Sequence, residues 1–151
     1  MLNVFETPQD TEDAFYDAFE EGNIDAMMSA WAARDDIVCI QPMRRQAIGR
    51  QGVREAWEEV FSSGARLEVE VHHQHWAESG DCAIHIVLEQ LTLNGDTSNR
   101  PPPILATNLY RNYGDGWLLV LHHASPPPPP PGMSQGTPPG AGIQVPGMPQ
   151  R

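Results

Sequence analysis

At Arg66 the hydrophobic period of the chain changes from about 3.6 residues to about two, and this change does most to fix the class of fold. Upstream, apolar side chains recur at helical spacing. Ala14, Phe15, Ala18 and Phe19 form one stripe, Ile24, Met27, Met28 and Trp31 a second, and Val53, Trp57, Val60 and Phe61 a third. Downstream, apolar and polar residues alternate through 67–77, 82–93, 104–113 and 117–124. Helices first and strands after, with no βαβ alternation, predict an α+β domain. Its N-terminal helices lie across one face of a curved, mainly antiparallel sheet, leaving a cone whose open end can hold a ligand.

Local punctuation supports this reading. Thr7-Pro8-Gln9-Asp10 has the form of a helix start, with Thr7 as N-cap and Pro8 at the first helical position. Gly22 ends that helix and Asn23 caps the next, so the first two helices form a tight hairpin. Ile37-Val38-Cys39-Ile40 is a short strand stopped by Gln41-Pro42, and the third helix begins after Gly49 and stops at Ser62-Ser63-Gly64. Glu78-Ser79-Gly80-Asp81 and Gly114-Asp115-Gly116 turn two hairpins, and Asn94–Pro103 is the loop between them.

The folded part, about residues 5–124, lies within a domain spanning 1–125. Residues 126–151 form a tail so dense in proline and glycine that it cannot pack a core and is expected to be disordered. The 151-residue chain suits one domain. Its net charge of −11 argues against nucleic acid or anionic lipid as partners. All nine basic residues are arginine, which removes Schiff-base and P-loop lysine chemistry. Cys39 and Cys82 make no disulfide framework, and neither a secretory signal nor a membrane-length apolar run is visible; a cytoplasmic location is expected.

Pairing Ala77 with Cys82 places Val69, Val71, His73, His75, Ile84, Ile86 and Leu88 on an inward face, and Glu70, His72, Gln74, His85 and Glu89 outward. His73 or His75 then stands in an apolar cavity as a candidate base or proton relay, against the plainer role of partly buried histidines held by hydrogen bonds. Asp36, at a helix–strand junction, is a further candidate base, though Asp35 and Asp36 also serve simply to break the chain there. Asn108 pairs with His122, and Thr107 with His123, if Arg111 pairs with Leu119; the alternation leaves open which pair faces inward. Tyr16, Trp31, Trp57, Asn108 and His122 are the candidate ligand-binding residues, with core packing the alternative for both tryptophans. His73, His75 and a third histidine match no metal motif, so neither a metal nor another cofactor is expected.

The stretches AFEEGNIDAMMSAW, IVCIQP, GRQGVREAWEEVF and ATNLYRNYGDGWLLVLHHASP together resemble the SnoaL-like branch of the NTF2-like superfamily, over residues from about 8 to 126. The resemblance implies a cone-shaped α+β barrel, usually dimeric through its sheet, in a superfamily that includes cyclases, isomerases and dehydratases. Its catalytic members use an aspartate, or aspartate with histidine, inside the cone. Here the expected inward face carries histidines and no carboxylate, so those roles are not transferred. Trp76, Val87 and Leu91, expected outside, favour a homodimer through the sheet. Three functions remain: binding of a small apolar or planar molecule; cofactor-independent lyase, isomerase or hydratase chemistry by general acid–base catalysis; or a structural dimerisation module. In the second, His73 or His75 is the base, and Asn108 or Tyr16 steadies an oxyanion.

Overall fold

A computed structural model describes residues 4–127 together with Pro129 and Gly132, so most of the proline-rich tail lies outside the described residues. Three helices, α1 (Pro8–Glu21), α2 (Ile24–Ala30) and α3 (Gly49–Phe61), are followed or interleaved by six strands. These are β1 (Val38–Ile40), β2 (Ala47–Ile48), β3 (Leu67–Ser79), β4 (Cys82–Leu93), β5 (Ile104–Asn112) and β6 (Trp117–Ser125). They form one sheet in the order β2-β1-β6-β5-β4-β3, antiparallel except where β1 runs parallel to β6. The α+β class and the helices-on-sheet layering expected from the sequence are what the chain adopts.

The helix signals act as read. The Thr7 hydroxyl accepts from the Asp10 N–H at 3.1 Å, and Asn23 caps α2 through the Ala26 N–H at 3.0 Å. Gly22 closes α1 in the left-handed region (φ 65°), where a β-carbon is disfavoured. The C-terminal end of α2 has a less local cap. The Arg50 guanidinium, from the first turn of α3, donates to the carbonyls of Met28, Trp31 and Ala32 at 2.8–3.1 Å. One side chain thus satisfies three carbonyls at a helix end and ties α2 to α3.

The core lies between the helices and the concave face of the sheet. Large rings come from the helical side, where Phe15 packs edge-on against Tyr16, Phe19, Trp31 and Trp57. The sheet contributes small residues, Ala83, Ala106 and Ala124, between larger ones, Val87, Tyr110, Trp117 and Leu119. Alternating large and small side chains on the sheet lets the helical rings interdigitate with it.

The register of the β3–β4 hairpin corrects the sequence reading. The turn is shorter than expected: Ser79 pairs with Cys82, and Gly80 (φ 59°) takes the first of two loop positions, as a mirror-type hairpin turn favours. A bulge at Gln74 then shifts the pairing between His73 and His75. His73 opposes Val87 and stays on the concave face, while His75 opposes Ile86 and is turned to the convex one. Trp76, expected on the outer face, opposes His85 and lies on the concave side, about half exposed at its end. Strand β4 is inverted throughout: Ala83, His85, Val87 and Glu89 are buried, while Ile84, Ile86 and Leu88 face the convex side. Leu91, expected outside, packs against the core. Choosing the more apolar face of β4 as the inner one failed because both faces of this sheet carry apolar side chains.

Candidate functional site

A row of inward side chains crosses the sheet. The register aligns Trp76 with His85, His85 with Asn108, Asn108 with His122, and His122 with Cys39. His85, Asn108, His122 and Cys39 are all buried. Strand pairing alone brings these residues, drawn from β3, β4, β5, β6 and β1, into line. From above, α1 lowers Glu12 and Tyr16 onto this row, four residues apart and so on one face of the helix.

At the centre of the row the Tyr16 hydroxyl donates to Glu89 Oε2 at 2.6 Å and accepts from Asn108 Nδ2 at 3.0 Å. Asn108 Oδ1 in turn meets His122 Nδ1. Burial pushes the Glu89 carboxyl up to about 7, with the Tyr16 hydrogen bond restraining the rise. Burial drives His122 the other way, down to about 3. The His122 imidazole is therefore neutral at physiological pH, and its 3.9 Å approach to Glu89 is not an ion pair. Tyr16 is raised well above its ordinary range, by burial and by the neighbouring Glu89, and remains a phenol. The result is a buried carboxyl that exchanges its proton near neutrality, fixed by one donor, with an amide and a neutral imidazole beside it.

At the outer end of the row a second carboxylate, Glu12, receives two histidines. Its Oε2 lies 2.7 Å from His85 Nδ1 and 2.9 Å from His73 Nε2. Burial tends to raise Glu12, but the hydrogen bonds and charges of His85 and His73 prevail, and its acidity ends below the ordinary carboxylate value. The two buried glutamates are thus driven apart, Glu12 ionised and Glu89 near its midpoint. Trp76, 53% exposed, closes this end, its ring 4.8 Å from that of His85 and 5.8 Å from that of His73.

At the other end, Cys39 borders a cavity of about 260 Å³ also lined by Gln41, Arg44, Arg45, Ala56 and Glu59. The Gln41 amide nitrogen is buried there without a hydrogen-bond partner among the described residues, and Arg44 pairs with Glu59 at 2.7 Å. Burial pushes the Cys39 thiol up to about 12, so it lines the space as an unreactive group.

The structure separates the candidates named from sequence. Tyr16, Asn108 and His122 are brought into one hydrogen-bonded cluster, which settles the second hairpin: the Asn108–His122 pair is the inward one. His73 reaches the concave side, but His75 is exposed on the opposite face and does not join it. Asp36 is exposed and held by Arg34 at 2.8 Å, away from the row. Trp31 and Trp57 are buried in the aromatic core, Trp57 with its ring 6.1 Å from that of His122. The expectation of no inward carboxylate is overturned by Glu12 and Glu89. Glu12 had a legible signal, since it falls on the same side of α1 as the Phe15–Phe19 stripe.

The match to known proteins follows the same elements. A family model for the SnoaL-like domain covers residues 9–129. The chain belongs to the SnoaL-like family. Among solved structures, this SnoaL-like domain is 44% identical to a Thiobacillus denitrificans protein named for the calcium/calmodulin-dependent protein kinase type II association domain; the match covers 83% of this chain and 99% of that one, with a TM-score of 0.79. It is 26% identical to a Streptomyces avermitilis protein named as a dehydratase of the NTF2-like family, over 79% of this chain and 92% of that one, with a TM-score of 0.69. An NTF2-like protein of unknown function from Pseudomonas putida shares the fold at 22% identity, over 79% of this chain and 83% of that one, with a TM-score of 0.70. No curated protein matches. Among the described residues, no helix of the SnoaL-like domain is long and apolar enough to cross a membrane.

Proposed function

We propose that this SnoaL-like domain binds a small molecule in its concave interior, with the Tyr16–Glu89–Asn108–His122 cluster as the polar end of the site. The observation that carries this reading is Glu89, 2% exposed yet with its carboxyl poised near pH 7. A buried, half-ionised carboxyl is costly to a core, and a hydrophobic residue of like volume would pack there at less cost. Groups perturbed in this way cluster at working sites. The cavity touches the row only at Cys39, the strand partner of His122, and its volume of about 260 Å³ is smaller than the ~300 Å³ at which drug-sized sites begin, which suits a ligand of few atoms. With Glu89 able to give or take a proton at neutral pH, the same geometry supports lyase, isomerase or hydratase chemistry. In that case Glu89 replaces the histidines expected from sequence as the acid–base group.

Thermal-shift screening of small carbonyl and carboxylic compounds on the untagged chain, beside native mass spectrometry of the freshly purified protein, tests the binding reading. A ligand that raises the melting temperature of the wild type but not of Glu89→Gln supports it. Ligands that stabilise both proteins equally would place binding elsewhere.

A second reading, an association module, is favoured by the convex face. Ile84, Ile86 and Leu88 of β4 lie there beside Leu105 and Leu109 of β5 and Leu121 of β6, all half-buried or exposed in the single chain. We propose that a second copy covers this face, giving a homodimer through the sheet. The 44% identity to a protein named for an association domain points the same way. The two readings are compatible, because they use opposite faces of one sheet.

A further inference from the structure

We infer that Glu12, His73 and His85 form a binding site for one divalent first-row transition ion, of which zinc is the type, at the Trp76 end of the concave face. One ligand atom from each residue lies within 4.8 Å of the other two: Glu12 Oε2, His73 Nε2 and His85 Nδ1. They come from α1, β3 and β4, so no sequence motif announces them. The bulge at Gln74 is what turns His73 and Trp76, instead of His75, toward Glu12.

The donor set selects the ion. Two imidazoles and one carboxylate suit zinc, cobalt, nickel or iron, whereas calcium and magnesium prefer shells of oxygen. Tetrahedral zinc at its usual bond lengths spaces its donors about 3.3 Å apart. The present Glu12–histidine distances of 2.7 and 2.9 Å have to open by only about half an ångström to reach that spacing, and the two histidine nitrogens already lie within 4.8 Å of one another.

A second observation separates this cluster from an ordinary ion pair. Among the described residues Glu12 Oε1 is buried with no hydrogen-bond partner, on a residue that is 1% exposed. A carboxylate bridging two histidines does not use that capacity. A metal can, since Glu12 can then bind through both oxygens. Three protein donors leave a position open, the pattern of reactive zinc sites. The approach is from the side of His73, whose side chain is 36% exposed.

The test is calorimetric titration of zinc into the untagged, chelator-treated full chain, with cobalt absorption as a second readout of coordination. The site predicts one ion per chain and a tetrahedral cobalt spectrum. His73→Ala, at a half-exposed position, lowers affinity at least tenfold or so, and His72→Ala and His75→Ala leave it unchanged. Glu12→Gln lowers it as well, and circular dichroism confirms that each variant folds. No saturable binding by the wild type, or binding that survives His73→Ala or is lost with His75→Ala, overturns the assignment.

Discussion

The Tyr16 hydroxyl and the Glu89 carboxylate meet at 2.6 Å in the middle of the core, and this contact joins α1 to β4. Tyr16→Phe keeps the ring packing while removing the one side-chain donor to Glu89 among the described residues. The expected cost is about 1–3 kcal/mol of stability, the price of leaving a buried polar group unmatched. Glu89 should also become harder to ionise, because the Tyr16 bond restrains its rise. Urea denaturation of the two proteins at pH 8 measures the cost, and an unchanged midpoint would show that the contact contributes nothing.

The pH dependence follows from signs. Glu89 is raised from 4.5 to about 7 in the folded chain, so between these values the native state holds the extra proton and stability falls as pH rises. His122 is lowered from 6.5 to about 3, so across that span the unfolded state holds the extra proton and stability rises with pH. The two slopes oppose one another in the wild type, and a difference between proteins isolates Glu89. Glu89→Gln should gain on the wild type between pH 4.5 and 7. The gain reaches about 3 kcal/mol, since each tenfold change in an acid constant is worth ~1.4 kcal/mol. A stability difference flat across that window contradicts the assignment.

Arg50 offers a check on how the helices are held. Arg50→Ala removes the guanidinium from the carbonyls of Met28, Trp31 and Ala32, of which Met28 keeps only its bond from the Trp31 N–H at 3.3 Å, and should cost about 2 kcal/mol. Arg50→Lys should recover only part of the loss, because an ammonium cannot span three carbonyls as a planar guanidinium does. Thermal unfolding followed by circular dichroism reads both.

The convex face makes a separate prediction. Ile86→Glu places a charge in the centre of the proposed contact without entering the core, since Ile86 lies on the outer side of β4. Light scattering coupled to size-exclusion chromatography should show a dimer for the wild type and a monomer for the variant. A monomeric wild type at micromolar concentration would end the association reading.

Much of the architecture was legible because helix and strand periods, caps and turns are local signals, and Thr7, Gly22, Asn23 and the Arg66 boundary all act as the residues imply. The pairing of Asn108 with His122 was legible too, although the bulge at Leu109–Tyr110 moves the partner of Arg111 from Leu119 to Leu118. What sequence could not supply was parity. The turn at Gly80 is two residues shorter than expected and leaves the alternation unchanged, whereas the single extra residue at Gln74 exchanges the faces of β4 and the end of β3 relative to Val69, Val71 and His73. Alternation fixes faces only when one is polar, and Ile84, Ile86 and Leu88 competed with Ala83, His85 and Val87 on nearly equal terms. The candidate site changed with that exchange: His75 left it, and Glu12, His85 and Glu89 entered.

The most direct test of the central claim is a carbon-13 NMR titration of the side-chain carboxyls of glutamate-labelled protein. One resonance, absent from Glu89→Gln, should titrate near pH 7. If every glutamate titrates in the ordinary range of about 4–5, the interior holds no proton-exchanging carboxyl and the proposed site loses its basis.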